Sequence, residues 1–192
     1  MTDRIFPDEP AGPFPAPPSS FTDAEGREIE IRPFGGDAAE GDGEFEALVE
    51  MYTEFDPADR AQGIPPSGEA GVRDWLDTIL GGDARNVVAW DGDVAAGHAT
   101  LVPDTTPVPE EGVYELAIFV LQSYQGAGIG TRLIEALLGH GAENGVDLVW
   151  LTVERWNRSA VGLYKKVGFE TSDAESFELE MTARLVDSVG DG

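Results

Sequence analysis

Three glycines stand within five residues in Gln125-Gly126-Ala127-Gly128-Ile129-Gly130-Thr131, directly ahead of an apolar run of helical period. A helix N-terminus offers unpaired N–H groups and the positive end of the peptide dipoles, a combination that suits a pyrophosphate. Glycines at 126, 128 and 130 remove side chains that would hold phosphates off, and backbone donors make a lysine unnecessary. A Walker A loop needs Gly-Lys-Ser/Thr at its end; Ile129-Gly130-Thr131 has no lysine, which discards that reading. A dinucleotide fingerprint matches Gly126 and Gly128, but its third glycine falls on Thr131. The loop also follows an antiparallel hairpin, about two-thirds along the chain. A tight turn that binds nothing explains one glycine well and three poorly.

Other residues able to do chemistry are sparse. Asn157 and Tyr164 lie seven apart, two helical turns, and so share nearly one face. The chain has no cysteine, hence no disulfide, thiolate metal site or cysteine nucleophile. His98 and His140 are too few and too far apart for an evident zinc cluster. His98, in "GHATL", reads as a satisfied core histidine that could instead line a cleft. Arg60 is one of few cations, suited to a surface ion pair or to an acceptor carboxylate.

Periodicity supplies the elements that must position these groups. Residues 1–26, rich in Pro, Gly, Ser and acid without a period, read as a flexible arm. "REIEIRPF" alternates as a first strand. "GDGEFEALVEMYTEF" and "EAGVRDWLDTIL" set apolar residues at spacings of three and four, as amphipathic helices do. "RNVVAWDGDVAAGHATLV" reads as a hairpin turning on Asp-Gly. "VYELAIFVL" is apolar on both parities, as in a central strand covered on both faces. The glycine stretch and its helix follow, then the apolar strand "VDLVWLTV". Asn157 caps "NRSAVGLYKKV", with Gly168 just past its end. "FELEMTARL" alternates as a last strand, and residues 185–192 read as a tail. The strand–glycine loop–helix–strand unit over 113–153 predicts a parallel crossover.

Charge bounds the partners. Thirty-seven acidic residues face twelve basic ones, for a net charge of −25. That disfavours nucleic acid and anionic membrane as partners, since phosphate binding relies on clustered Lys and Arg. Such a charge suits a cationic substrate, but acid spread over every segment, with lysine only at 165 and 166, reads rather as the composition of a protein adapted to high salt. At molar ionic strength the Debye length is about 3 Å, so self-repulsion is largely screened. Without a secretory signal or a long apolar run, the expected location is cytoplasmic.

Gln125-x-x-Gly128-x-Gly130, directly after "ELAIFVLQSY", resembles the coenzyme A signature Q/R-x-x-G-x-G/A of the GNAT (N-acetyltransferase) superfamily. "LTVERWNRSAVGLYKKVGFE" is similar to that family's strand–Asn–helix–Tyr–Gly-Phe segment, in the expected order and spacing. The resemblance covers residues 27–184. It implies an α/β fold with a mixed, twisted central β-sheet flanked by helices, and acetyl transfer from acetyl-CoA to a primary amine in a ternary complex, without a metal. Ile118, Phe119 and Val120 would pair as an edge with the pantetheine arm, the Val120 N–H polarising the thioester carbonyl. Gln125, Gly126, Ala127, Gly128, Ile129, Gly130 and Thr131 would hold the pyrophosphate. Asn157 would contact the cofactor, and Tyr164 would protonate the departing thiolate. Asn157 also reads as a plain N-cap and Tyr164 as a core aromatic. Some relatives carry a basic glutamate five residues before the asparagine; here that place is Thr152, so Glu115 is the substitute base, with Glu154 another candidate. Glu115 reads equally as a solvated strand-end carboxylate. The family often dimerises, so a homodimer is compatible. A domain that binds acyl-CoA without turnover is the alternative reading.

Overall fold

The structure, a computed structural model, describes residues 4–36, 42–55, 66–105, 111–174 and 177–185. Its strands are β1 (Ser19–Thr22), β2 (Glu28–Pro33), β3 (Arg85–Asp91), β4 (Val94–Pro103), β5 (Val113–Val120), β6 (Leu148–Glu154), β7 (Glu170–Ala174) and β8 (Glu178–Arg184). The helices are α1 (Asp42–Glu54), α2 (Glu69–Ile79), α3 (Ile129–Glu143) and α4 (Arg158–Lys166). All eight strands join one mixed sheet in the order β1-β2-β3-β4-β5-β6-β8-β7, in which β5 and β6 run parallel and the other neighbours antiparallel. The expected α/β architecture is therefore present, with α3 as the crossover.

Side-chain alternation sends the two faces of the sheet to different cores. Ile31, Leu101, Leu116, Leu151 and Met181 pack against Leu133, Ile134 and Leu137 of α3. Each such fully buried side chain is worth roughly 1.5–3 kcal/mol relative to exposure. Val88, Trp90 and Phe119 face the other way and pack with Leu48 and Tyr52 of α1 and Leu76 of α2. Helix α4 ends in a Schellman arrangement: Phe169 N donates to Tyr164 O at 3.0 Å and Gly168 N to Lys165 O at 3.1 Å.

The N-terminal segment corrects an expectation. Residues 4–22 form a strap fastened across the domain rather than a flexible arm. Thr182 Oγ1 donates to Ile5 O at 2.7 Å, Arg184 Nε to Pro7 O at 2.9 Å, and Ala11 N to Arg184 O at 2.8 Å. Phe14 and Phe21 pack onto the α3-side core, and β1 adds an edge to β2. Two glycines make room for the passage. A Cβ on Gly168 would lie 2.6 Å from Ala11 Cβ, and one on Gly139 in α3 would lie 2.6 Å from the Pro15 carbonyl oxygen. The partners of residues 5–11 lie about 175 positions away, so local composition carries no trace of them. Residues 186–192, expected as a tail, fall outside the described residues.

Candidate functional site

The sheet splits where β5 meets β6. Pairing is confined to Val113–Leu148, Tyr114–Val149 and Glu115–Trp150, yet β5 continues to Val120 and β6 to Glu154. On its other edge β5 stays paired with β4 as far as Val120–Gly97. Val113 O accepts from Asp104 N and Leu121 N donates to Ala96 O, both toward the β4 side. Backbone groups alternate along a strand, so those of Ile118 and Val120 face the wedge between β5 and β6. Phe119 does the opposite. Its backbone faces β4 and its ring stacks edge-on with Tyr52, Phe55 and Trp75.

The glycine loop stands at the mouth of this wedge. Gly126 and Gly128 have φ of 73° and 90°, a region costly for other residues. An added Cβ at either would meet nothing, so conformation rather than crowding requires glycine there. Gly128 is the N-cap of α3 and supplies no side-chain cap, which leaves the first-turn amides without that partner. Ile129 is sunk in the core, and the Ala127 carbonyl is tied to Ala24 N at 3.1 Å. Arg27 stacks 4.2 Å over the Tyr124 ring and donates to Ser123 O at 3.1 Å, bracing the loop from the β1–β2 turn. Gln125 folds back and donates from Nε2 to Val120 O at 3.0 Å, joining the loop to the wedge edge. Gly130 and Thr131, both half-buried, begin α3; a Cβ on Gly130 would come no closer than 3.6 Å to Leu163 Cδ2.

Asn157 caps α4, its Oδ1 accepting from Ala160 N at 3.2 Å. Two turns on, Tyr164 is buried in the cluster against which Ile118 and Val120 also pack. Its ring meets Phe169 edge-on at 5.8 Å, and its hydroxyl makes no hydrogen bond among the described residues. Burial pushes this phenol up to about 12. It therefore stays protonated at neutral pH.

Glu115 lies at the closed end of the wedge, on the sheet face away from α3. Its side chain reaches solvent, yet partial burial raises its pKa, the Asp104 charge raises it further, and Arg4 opposes. Thr152 pairs in register with Glu180 of β8, so a carboxylate stands on the neighbouring strand. Sequence reasoning missed that residue and, with it, Arg4, Asp104 and Trp150. Arg4 of the strap donates from Nη1 to Asp104 Oδ2 at 2.6 Å and from Nε to Glu180 Oε2 at 3.1 Å, with its guanidinium 3.6 Å above the Trp150 ring. The one local signal is a tryptophan flanked by Val149 and Leu151 within β6. Glu154, the other candidate base, is half-buried at the far end of β6.

His98 is fully buried and satisfied. Its Nδ1 lies 2.6 Å from the Tyr52 hydroxyl and its Nε2 2.8 Å from Asn86 Oδ1, while Asn86 Nδ2 donates to Ile79 O at 3.0 Å. The consistent assignment is Tyr52 O–H to Nδ1 and Nε2–H to Asn86. Burial pushes His98 down to about 3, so it is a neutral core group. Arg60 lies outside the described residues. Among the described residues, no group of three or more His, Cys, Asp or Glu is arranged to hold a metal, and no helix is long and apolar enough to cross a membrane.

The mixed sheet is thus splayed at its parallel strand pair, with a glycine-bounded helix start at the mouth of the opening. The pattern of the Acetyltransferase (GNAT) family matches residues 45–169, more than half of the chain, and the chain belongs to that family. An L-methionine sulfoximine/L-methionine sulfone acetyltransferase of Pseudomonas paraeruginosa is 30% identical over 61 residues, covering 32% of this chain and 36% of that protein. A mycothiol acetyltransferase of Kytococcus sedentarius is 39% identical over 101 residues, covering 50% of this chain and 31% of that protein. The matched region thus spans about a third of these relatives' length. Among solved structures, the GNAT domain of S. lividans PAT superposes with a TM-score of 0.70 at 18% identity, covering 88% of this chain and 97% of that one. A Salmonella typhimurium protein solved with its cofactor acetyl-CoA gives a TM-score of 0.62 at 14% identity, covering 85% and 98%.

Proposed function

We propose that this protein is an acetyl-CoA-dependent N-acetyltransferase that acts on a primary amine. The observation carrying this is the wedge: β5 and β6 part after Glu115–Trp150 and leave the Ile118 and Val120 edge facing a gap that opens onto the uncapped start of α3. Acetyl-CoA supplies the acyl group as a thioester. The first-turn amides of α3, with Gly126 and Gly128 bare of side chains, would take its pyrophosphate. The edges of Ile118 and Val120 would pair with the pantetheine arm, and a free N–H there would hold the developing charge on the carbonyl oxygen. Glu115 lies about three residues of strand, roughly 10 Å, beyond Ile118 toward the closed end of the wedge, so it serves an acceptor held at the Ile118–Val120 edge through a bridging water.

Glu115 takes a proton from the acceptor ammonium, whose ordinary pKa is about 10.4. The factors that raise the Glu115 carboxyl make it a stronger base than a solvated glutamate. The amine nitrogen bonds to the carbonyl carbon, the carbon–sulfur bond breaks, Tyr164 gives a proton to the sulfur, and the second proton shed by the nitrogen as the amide forms restores the phenol. Asn157 serves first as the cap that fixes α4 and hence Tyr164.

We read the acidic composition as adaptation to high salt, and the cytoplasm as the place of action. The test is calorimetric titration with acetyl-CoA in molar KCl and in dilute buffer, followed by release of free CoA with a panel of amines. Binding in molar KCl with amine-dependent CoA release is expected. Absence of binding in both buffers would defeat the reading, binding without release would make the chain a non-catalytic acyl-CoA binder, and equal stability in both buffers would remove the salt adaptation.

A further inference from the structure

The connection from β1 to β2, Asp23-Ala24-Glu25-Gly26-Arg27, carries Asp first and Gly fourth, the residues that a type I turn closed by a glycine bulge favours. The backbone follows that pattern. Gly26 N donates to Asp23 O at 3.0 Å, Asp23 N donates to Arg27 O at 2.9 Å, and Gly26 has a φ of 83°. Asp23 is the centre of the turn. Its buried carboxyl accepts from Glu25 N and Arg27 N at 2.9 Å each, while Arg27 Nε and Nη2 both lie 2.7 Å from its Oδ2. A guanidinium fixed in this way presents its remaining edge and its face to the glycine loop. Nη1 donates to Ser123 O at 3.1 Å, and the group lies 4.2 Å over the Tyr124 ring, whose hydroxyl donates to Asp91 Oδ2 at 2.8 Å. Ala24 N adds a third tie, to Ala127 O at 3.1 Å. A trans peptide points its C=O and N–H in opposite directions, so drawing the Ala127 carbonyl to the turn aims the Gly128 N–H away from it. Gly126 and Gly128 flank this peptide and give it little stiffness of their own. The turn supplies it.

We propose that Asp23 and Arg27 are positioning residues for the acyl donor. They act through the loop over 123–128, holding its amides in the arrangement that takes a phosphate, and touch neither substrate. This rests on the N-acetyltransferase reading for the identity of the ligand, and it draws a distinction which that reading alone does not. The contribution of Arg27 belongs to donors that carry the pyrophosphate, whereas a thioester without one gains nothing from the brace. Lysine cannot do the same work. It keeps a charge beside Asp23, but a single ammonium cannot reach Asp23 and Ser123 at once and lie flat on Tyr124.

The test uses the full chain in molar KCl, with acetyl-CoA and S-acetylpantetheine as donors and the amine of the panel that best releases free thiol. Arg27→Lys leaves Asp23 facing a cation and should melt like the parent. It should nonetheless raise the Kd and KM of acetyl-CoA about fivefold, as a smaller ordered fraction of the loop requires, with kcat at saturation and the acceptor KM unchanged. Arg27→Ala should raise both constants about tenfold. S-Acetylpantetheine should serve the parent and both variants equally well. Asp23→Asn keeps an oxygen for the turn amides but frees the guanidinium, and should reproduce the loss. Combined with Arg27→Ala it should add little, because both act through one contact. Unchanged acetyl-CoA affinity in Arg27→Lys, a fall in kcat in place of a rise in KM, or equal losses with the two donors would overturn the proposal. A parent that bound no acetyl-CoA would bring down the acetyltransferase reading and this inference with it. Equal binding by the parent and Arg27→Lys would remove this inference alone.

Discussion

Two sets of glycines on the same side of the molecule have opposite reasons to exist. Gly139 and Gly168 are glycine because the strap fills the space a Cβ would take. Gly126 and Gly128 face open space, and Gly130 meets only an ordinary contact with Leu163. The buried polar groups divide in the same manner. His98 has both ring nitrogens bonded, whereas the Tyr164 hydroxyl has no hydrogen-bond partner among the described residues. Positions whose requirements the chain itself meets belong to the architecture. Those left open beside the wedge are the ones proposed to meet acetyl-CoA.

Substitutions can break this division. Gly168→Ala combines a φ of 103° with the Ala11 collision, and should cost roughly 3 kcal/mol in denaturant unfolding, from left-handed strain plus overpacking. Adding Ala11→Gly should restore the part due to collision alone; no restoration would show that the strap does not press on Gly168. Tyr164→Phe should lower turnover at saturating acetyl-CoA by roughly 100-fold, as removal of a general acid does. Its melting temperature and acetyl-CoA affinity should hardly move, because the hydroxyl makes no hydrogen bond among the described residues. Unaltered turnover would return Tyr164 to the core.

His98 gives a pH signature with a defined sign. Its folded pKa lies below the ordinary 6.5, so the unfolded chain binds more protons. The stability it contributes is complete above about pH 6.5 and is lost as the pH falls toward its folded value. Between pH 6.5 and 5 the loss should be about 2 kcal/mol, before most carboxylates titrate. His98→Gln should flatten that slope, and an unchanged slope would assign it to other groups. The smallest effect is expected at Gly130→Ala. Stability should rise by roughly 0.5 kcal/mol, as for a helical glycine replaced without collision. Acetyl-CoA should nonetheless bind less tightly. Unchanged affinity would mean that nothing approaches the start of α3 there.

The division also explains what could be read from residue order alone. Elements with a strong apolar period, β2 through β6 with their helices, lie where the sequence places them, and the Gln125–Gly130 spacing locates the wedge mouth. Strands β1 and β7 escape notice because both are short, polar edge strands, "SSFT" and "ETSDA", with little apolar alternation to report them. The strap escapes for a different reason. Its bonds join Ile5 and Pro7 to Thr182 and Arg184, and prolines in a segment look alike whether or not distant partners exist. The Arg4 cluster escapes with it. Trp150, Asp104 and Glu180 come from three separate elements, and each alone is an unremarked residue on a strand or at its end.

The Ala11–Leu185 bridge has a consequence for biosynthesis. Residues 4–11 leave the ribosome before the strand that receives them has been translated. At about 5–20 residues per second, that interval is roughly 10–35 seconds. A segment kept waiting so long is safer if it is acidic, proline-rich and poor in β-formers, with little tendency to join a half-built sheet at the wrong edge. The composition that hides the strap from a reader of the sequence also lets the nascent chain leave it undocked until last.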